Sequence, residues 1–101
     1  MGASWEGFAL EEVLRVFEPA QPCFWSVHGG AEVDLVFQHQ GRRLGFEMKF
    51  SEAPGLAPSM RRARKDLKLD HLWVIHPGPH AYPMEEGISA LPLSLVPTLG
   101  T

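Results

Sequence analysis

The six residues His71-Leu72-Trp73-Val74-Ile75-His76 are apolar almost without interruption. A run so short and uniform suits a β-strand covered on both faces. An amphipathic stretch from Pro58 or Ser59 to about Leu69 leads into it, with Met60, Ala63 and Leu67 on one side. A helix that joins two strands makes them parallel, and a parallel pair needs layers above and below it. The chain is therefore constrained to an α/β class with a mixed central sheet flanked by helices.

The preceding sequence supplies the other strands. Cys23–His28, Val33–His39 and Arg43–Phe50 are strand-like, and short glycine-containing connections, Gly29-Gly30-Ala31-Glu32 and Gln40-Gly41-Arg42, separate them. Such links imply antiparallel hairpins. Residues 5–17 have helical periodicity, with Glu6, Leu10, Val13 and Phe17 on the expected inward side and Glu11, Glu12, Arg15 and Glu18 opposite. Ser4 is the expected N-cap and Pro19 the stop. After Tyr82 the tail offers one or two short strands around Ile88–Val96, with Pro92 and Pro97 favouring a sheet edge. No repeat or linker divides the chain, so residues 1–101 are read as one domain.

Within this frame two carboxylates and an ammonium stand where apolar residues are expected. Asp34 lies inside Val33-Asp34-Leu35-Val36-Phe37. Twelve residues separate it from Glu47-Met48-Lys49, giving the pattern D-x12-E-x-K. Alternation along Leu44–Phe50 sends Leu44, Phe46, Met48 and Phe50 to one face, and Glu47 and Lys49 to the other. Acidic oxygens from neighbouring strands suit Mg²⁺ or Mn²⁺, with the Met48 carbonyl as a further donor. Lys49 beside them suits electrostatic stabilisation of a charged transition state. Glu6, on the expected inward helix face, would add a third carboxylate needing a partner.

These residues resemble the PD-(D/E)XK, restriction-endonuclease-like superfamily. The resemblance rests on Gly2-Ala3-Ser4-Trp5-Glu6-Gly7-Phe8, Gly30-Ala31-Glu32-Val33-Asp34-Leu35-Val36 and Glu47-Met48-Lys49-Phe50-Ser51. More narrowly, the chain is similar to the nuclease-like domain at the C-terminus of many prokaryotic AAA-type ATPases. Leu69-Asp70-His71-Leu72-Trp73-Val74-Ile75 and Ile88-Ser89-Ala90-Leu91-Pro92-Leu93 extend the match. The resemblance implies an αβββαβ core and metal-dependent phosphodiester hydrolysis of DNA. Asp34 and Glu47 would be metal ligands, Lys49 the catalytic lysine and Glu6 the helix carboxylate. Val33 stands where the name-giving proline would be, and no G-x4-G-K-S/T phosphate loop is present. The alternative expectation is a catalytically silent module of the same fold that binds nucleic acid or an ATPase partner.

The net charge of −3 argues against general charge-driven nucleic-acid binding, but charge is unevenly spread. Arg61, Arg62, Arg64, Lys65 and Lys68 supply five of the nine cationic residues within one helix and form the expected phosphate-contacting face. Arg42 and Arg43, at a hairpin tip, would extend that track. His76 and His80 have ligand-like spacing, but no cysteines or further ligands assemble with them. Trp5, Trp25 and Trp73 read as core, Cys23 as a buried thiol, Ser51 as a strand-end hydroxyl and Glu32 as a hairpin residue. A lone cysteine, no signal-peptide layout and no apolar run of membrane-spanning length give a cytoplasmic expectation. A monomer or a homodimer pairing through an edge near the C-terminal strand is expected.

Overall fold

A computed structural model describes residues 4–24 and 33–100. Helix α1 spans Trp5–Phe17, β1 Cys23–Phe24, β2 Leu35–His39, β3 Arg42–Met48, α2 Pro58–Asp66, β4 His71–His76, β5 Tyr82–Glu85 and β6 Ile88–Pro92; a 3-10 turn Leu93–Leu95 leads into α3, Val96–Leu99. Among the described residues six strands form one mixed sheet in the order β1-β2-β3-β4-β6-β5. β1, β2 and β3 run antiparallel, β3–β4 and β4–β6 are parallel, and β5 returns antiparallel to β6. The protein is an α/β fold with helices on both faces of a mixed sheet.

Local chemistry explains the element ends. Ser4 caps α1, its hydroxyl accepting the Gly7 N–H at 3.1 Å. At the other end Glu18 turns left-handed (φ 45°) and Pro19 cannot continue the helix. The β2–β3 turn places both Gln40 and Gly41 at positive φ, which a two-residue hairpin uses to match strand twist. Helix α2 begins at Pro58, whose fixed φ suits a first turn. It ends in a Schellman arrangement: Leu69 N–H donates to the Arg64 carbonyl and Lys68 N–H to that of Lys65, with Lys68 left-handed.

Alternation splits the core into two layers. Leu35, Phe37, Leu44, Phe46, Met48, Ile75 and Leu91 pack under Ala9 and Val13 of α1 and Val96 of α3. Val36, Leu72, Val74 and Ile88 face Met60 and Ala63 of α2. β4 contributes to both layers, as its apolar run requires.

Several expectations change. The buried stripe of α1 runs through Ala9 and Val13, and Glu6 is exposed. As the second residue of the helix, Glu6 sits near the positive end of the helix dipole, which suits a solvated carboxylate. β6 is an inner strand despite Pro92, and the edge is β5, a strand the periodicity did not place. Residues 93–99 are helical rather than extended. Phe50 leaves the core face and is 67% exposed, its ring 5.7 Å from that of Trp5. Cys23 is exposed, not buried. The remainder of the first expected strand, Trp25 and the Gly29–Glu32 connection lie outside the described residues.

Candidate functional site

The charged residues meet at the end of the β2–β3 ladder. Leu35 pairs with Phe46, and the paired register stops there, one residue short of Asp34. The Asp34 N–H also donates to the Phe46 carbonyl, at 2.9 Å, so Asp34 and Leu35 both stand against Phe46, as in a β-bulge. Glu47 shares its face with Gly45, whose side is lined by Leu69 and Leu72, and so projects to the α2 side. Asp34 also folds back on the main chain: its Oδ2 accepts the Met48 N–H at 2.8 Å.

Glu47 is 4% exposed, and the Lys49 ammonium lies 3.5 Å from its Oε2. The Lys49 N–H donates to the Ile75 carbonyl at 2.8 Å, which ties the end of β3 to β4. Asp34, Glu47 and Lys49 thus form one cluster at the C-terminal end of β3. The side chain of Met48 points to the α1 layer. Its N–H faces Asp34, and because both main-chain groups of a strand residue face the same neighbour, its carbonyl does too.

Glu6 does not join them; it stands exposed on α1, which packs on the opposite sheet face. The basic face of α2 is also divided. Arg61 Nε donates to Glu85 Oε1 at 2.8 Å, and the Arg64 guanidinium lies against Gly87 in the β5–β6 turn. Arg62 and Lys65 on the helix and Lys68 just beyond it face solvent, as the paired Arg61 also does. Arg43 serves the fold, its Nε donating to the Leu67 carbonyl and its N–H to Asp70 Oδ2, each at 2.7 Å. With Arg42 it stands at the far end of β3 from Lys49, roughly 20 Å away at ~3.3 Å per residue. Arg42 and Arg43 therefore do not extend a track to the carboxylates.

Sequence reasoning passed over His76 as part of this region. The β3–β4 register pairs Met48 with Ile75, so His76 follows beside Lys49 on the α2 face. It is wholly buried, and its Nδ1 accepts the Gly78 N–H at 3.0 Å. Burial pushes its imidazole below the ordinary histidine value. The signal was available: a histidine ending an apolar strand beside E-x-K, with glycine two residues on.

With the geometry in place, comparison with known proteins becomes informative. A family model described as a domain of unknown function, DUF4143, matches residues 1–96. The chain belongs to the DUF4143 family. Uncharacterized proteins of Mycobacterium bovis and Mycobacterium tuberculosis are each 38% identical to this DUF4143 chain over 101 residues. Those alignments cover all of this chain and 23% of each relative, so it spans about a quarter of their length. No solved structure matches the DUF4143 chain.

The donor set of the cluster is hard oxygen: two carboxylates and a carbonyl. Among the described residues no group of three or more His, Cys, Asp or Glu side chains is placed to hold a metal. No helix among the described residues is long and apolar enough to cross a membrane.

Proposed function

We propose that this chain is a metal-dependent phosphodiester hydrolase domain acting on DNA, with a site of the restriction-endonuclease-like kind. The observation that carries the reading is the meeting of Asp34, Glu47 and Lys49 at the end of β3, from positions separated by a hairpin: Asp34 accepts the Met48 N–H, and the Lys49 ammonium faces Glu47. A helix, an antiparallel three-strand meander, a crossover helix and a parallel strand are also the order that the sequence resemblance implies.

Asp34, Glu47 and the Met48 carbonyl would hold Mg²⁺ or Mn²⁺. When bound, the ion would activate water near neutral pH and offset charge growing on the phosphate oxygens. The Met48 N–H fixes the Asp34 carboxylate, so that group pays little ordering entropy when it binds. Lys49 brings a cation to the same point without being buried, its side chain 40% exposed. Arg62, Lys65 and Lys68 offer phosphate contacts along α2.

Cleavage of labelled oligonucleotides by the purified chain with Mn²⁺ tests the proposal. Glu47→Ala and Lys49→Ala should each lower the rate by about a hundredfold or more, with the fold verified by circular dichroism. Undiminished cleavage in both variants would overturn it.

A second reading, a silent interaction module for a partner such as an ATPase, draws on a different observation. A groove of about 390 Å³ is lined by Trp5, Phe8, Pro77 and Leu93. Phe8 is 57% and Phe50 67% exposed beside it. Exposed apolar surface of this kind favours a covering partner. Wild-type protein that binds but never cleaves nucleic acid would select this reading.

A further inference from the structure

The segment that follows Lys49 is locked into a closed circuit of contacts. Ser51 N–H turns back to the Lys49 carbonyl at 2.9 Å. The next residue, Glu52, has its peptide pressed against Gly78. A Cβ at position 78 would stand 2.8 Å from the Glu52 carbonyl carbon and closer still to its oxygen. Real Cβ atoms do not sit at such distances from backbone, so glycine is required there for close approach. Two residues on, the Pro54 carbonyl accepts the Tyr82 hydroxyl at 2.6 Å. The Tyr82 ring lies 5.9 Å from the His76 ring, and His76 returns to Gly78 through Nδ1.

We propose that His76 is a positioning residue for the Asp34–Glu47–Lys49 site, acting through Gly78 on the chain that leaves Lys49. The ring is wholly buried and accepts a hydrogen bond from the backbone two residues ahead. That bond sets the neutral ring's proton on Nε2 and leaves Nδ1 as acceptor. It holds loop 77–80 in the one position where Gly78 backs the Glu52 peptide. Lys49 is then fixed from two directions: by its N–H on the Ile75 carbonyl and by the seated turn that follows it. The effect on turnover rests on the hydrolase reading; the coupling between the loops does not.

Amide hydrogen exchange on the full chain tests the coupling. His76→Phe keeps a ring of similar size and removes the acceptor. His76→Asn keeps an acceptor, since asparagine commonly bonds the N–H two residues on. In His76→Phe, the Gly78, Ser51 and Lys49 amides should exchange about tenfold faster, while Val36 and Phe37 in β2 keep wild-type protection. His76→Asn should restore all three. If His76→Phe does not fold, Gly78→Ala displaces the Glu52 peptide directly and should loosen Ser51 and Lys49 with β2 intact. In cleavage assays His76→Phe should lower kcat by about tenfold to a hundredfold at unchanged KM, and His76→Asn should approach wild type.

Release of Gly78 with Ser51 and Lys49 still protected would overturn the proposal. So would equal loss of protection throughout the sheet, which marks a purely structural histidine. Selective loosening in a wild-type background that never cleaves would sustain the coupling and reject the hydrolase reading.

Discussion

Replacing Asp34 by Asn removes one charge from the cluster while keeping the side chain's shape. Without metal the change should be nearly silent. The bond from the Met48 N–H to Asp34 Oδ2 is charge-assisted, and converting it to a neutral one costs about 1 kcal/mol. Against that, Asp34 is held on the Met48 N–H, next in the chain to the buried carboxylate of Glu47, and removing one of two like charges returns a comparable amount. The stability of the variant should therefore lie within about 1 kcal/mol of wild type. With Mn²⁺ the two proteins should part. Ligand at a hundredfold its Kd stabilises the native state by about 2.7 kcal/mol. For a domain near 100 residues that is roughly 10–20 °C in Tm, at about 4–8 °C per kcal/mol. If Asp34→Asn weakens binding a hundredfold, the same Mn²⁺ concentration is worth only about 0.4 kcal/mol, or roughly 2–3 °C. Thermal melts with and without Mn²⁺, with calorimetric titration alongside, read both terms. An equal Mn²⁺ shift in the variant would place the ion elsewhere, and no shift in well-folded wild type would remove the basis for an assembled cation site.

Other substitutions test the fold that positions the cluster. Phe46 is fully buried, with its ring 5.3 Å from Phe37 and 5.5 Å from Phe17, so Phe46→Ala should cost about 3–5 kcal/mol in urea denaturation. A loss below about 1 kcal/mol would mean that this layer is not closed. Lys68 holds φ 54° at the end of α2, where a side chain is disfavoured, so Lys68→Gly should gain about 1 kcal/mol and raise Tm. A lower Tm would show that the lysine does more than terminate the helix. His71 is half-buried, and burial, then Arg42 and Arg64, push its imidazole below the ordinary 6.5. A depressed folded-state value means the unfolded chain binds the proton more readily. Stability from this group is therefore complete above about pH 6.5 and is lost as pH falls toward the folded-state value. His71→Gln should flatten the decline in urea midpoint between pH 7.5 and 5.5, and an unchanged slope would exclude His71 as its source.

Much of this architecture was legible in the sequence because strong local signals agreed. Ser4 and Pro19 bracket α1, Gln40-Gly41 sets the β2–β3 hairpin, and the apolar run 71–76 can only be an inner strand. The D-x12-E-x-K spacing was readable because a short glycine-containing connection folds the two strands back on each other; the bond from the Met48 N–H that holds Asp34 at the end of β3 had no signal in that spacing. The misreadings have physical causes. Glu6 falls within one turn of the helix start, where the position on a helical wheel is a poor guide because the dipole and solvent also act. The inward stripe passes through Ala9, whose small side chain gives it little weight in a periodicity reading. β5 contains Pro83, which hides a strand from propensity arguments although an edge tolerates it. The clamp from His76 to Glu52 joins residues through space, and no spacing in the sequence announces it.

The same edge strand limits how this protein can grow. An outer strand is a template, since its outward N–H and C=O groups can be continued by any extended segment that matches their spacing. β5 is four residues long, carries Pro83, and shifts register between Pro83 and Glu85. A second molecule laid alongside would meet an uneven row of donors and acceptors on a locally twisted backbone. The sheet is thereby terminated by its own covalent chemistry, and association through this side would have to use side chains rather than shared strands.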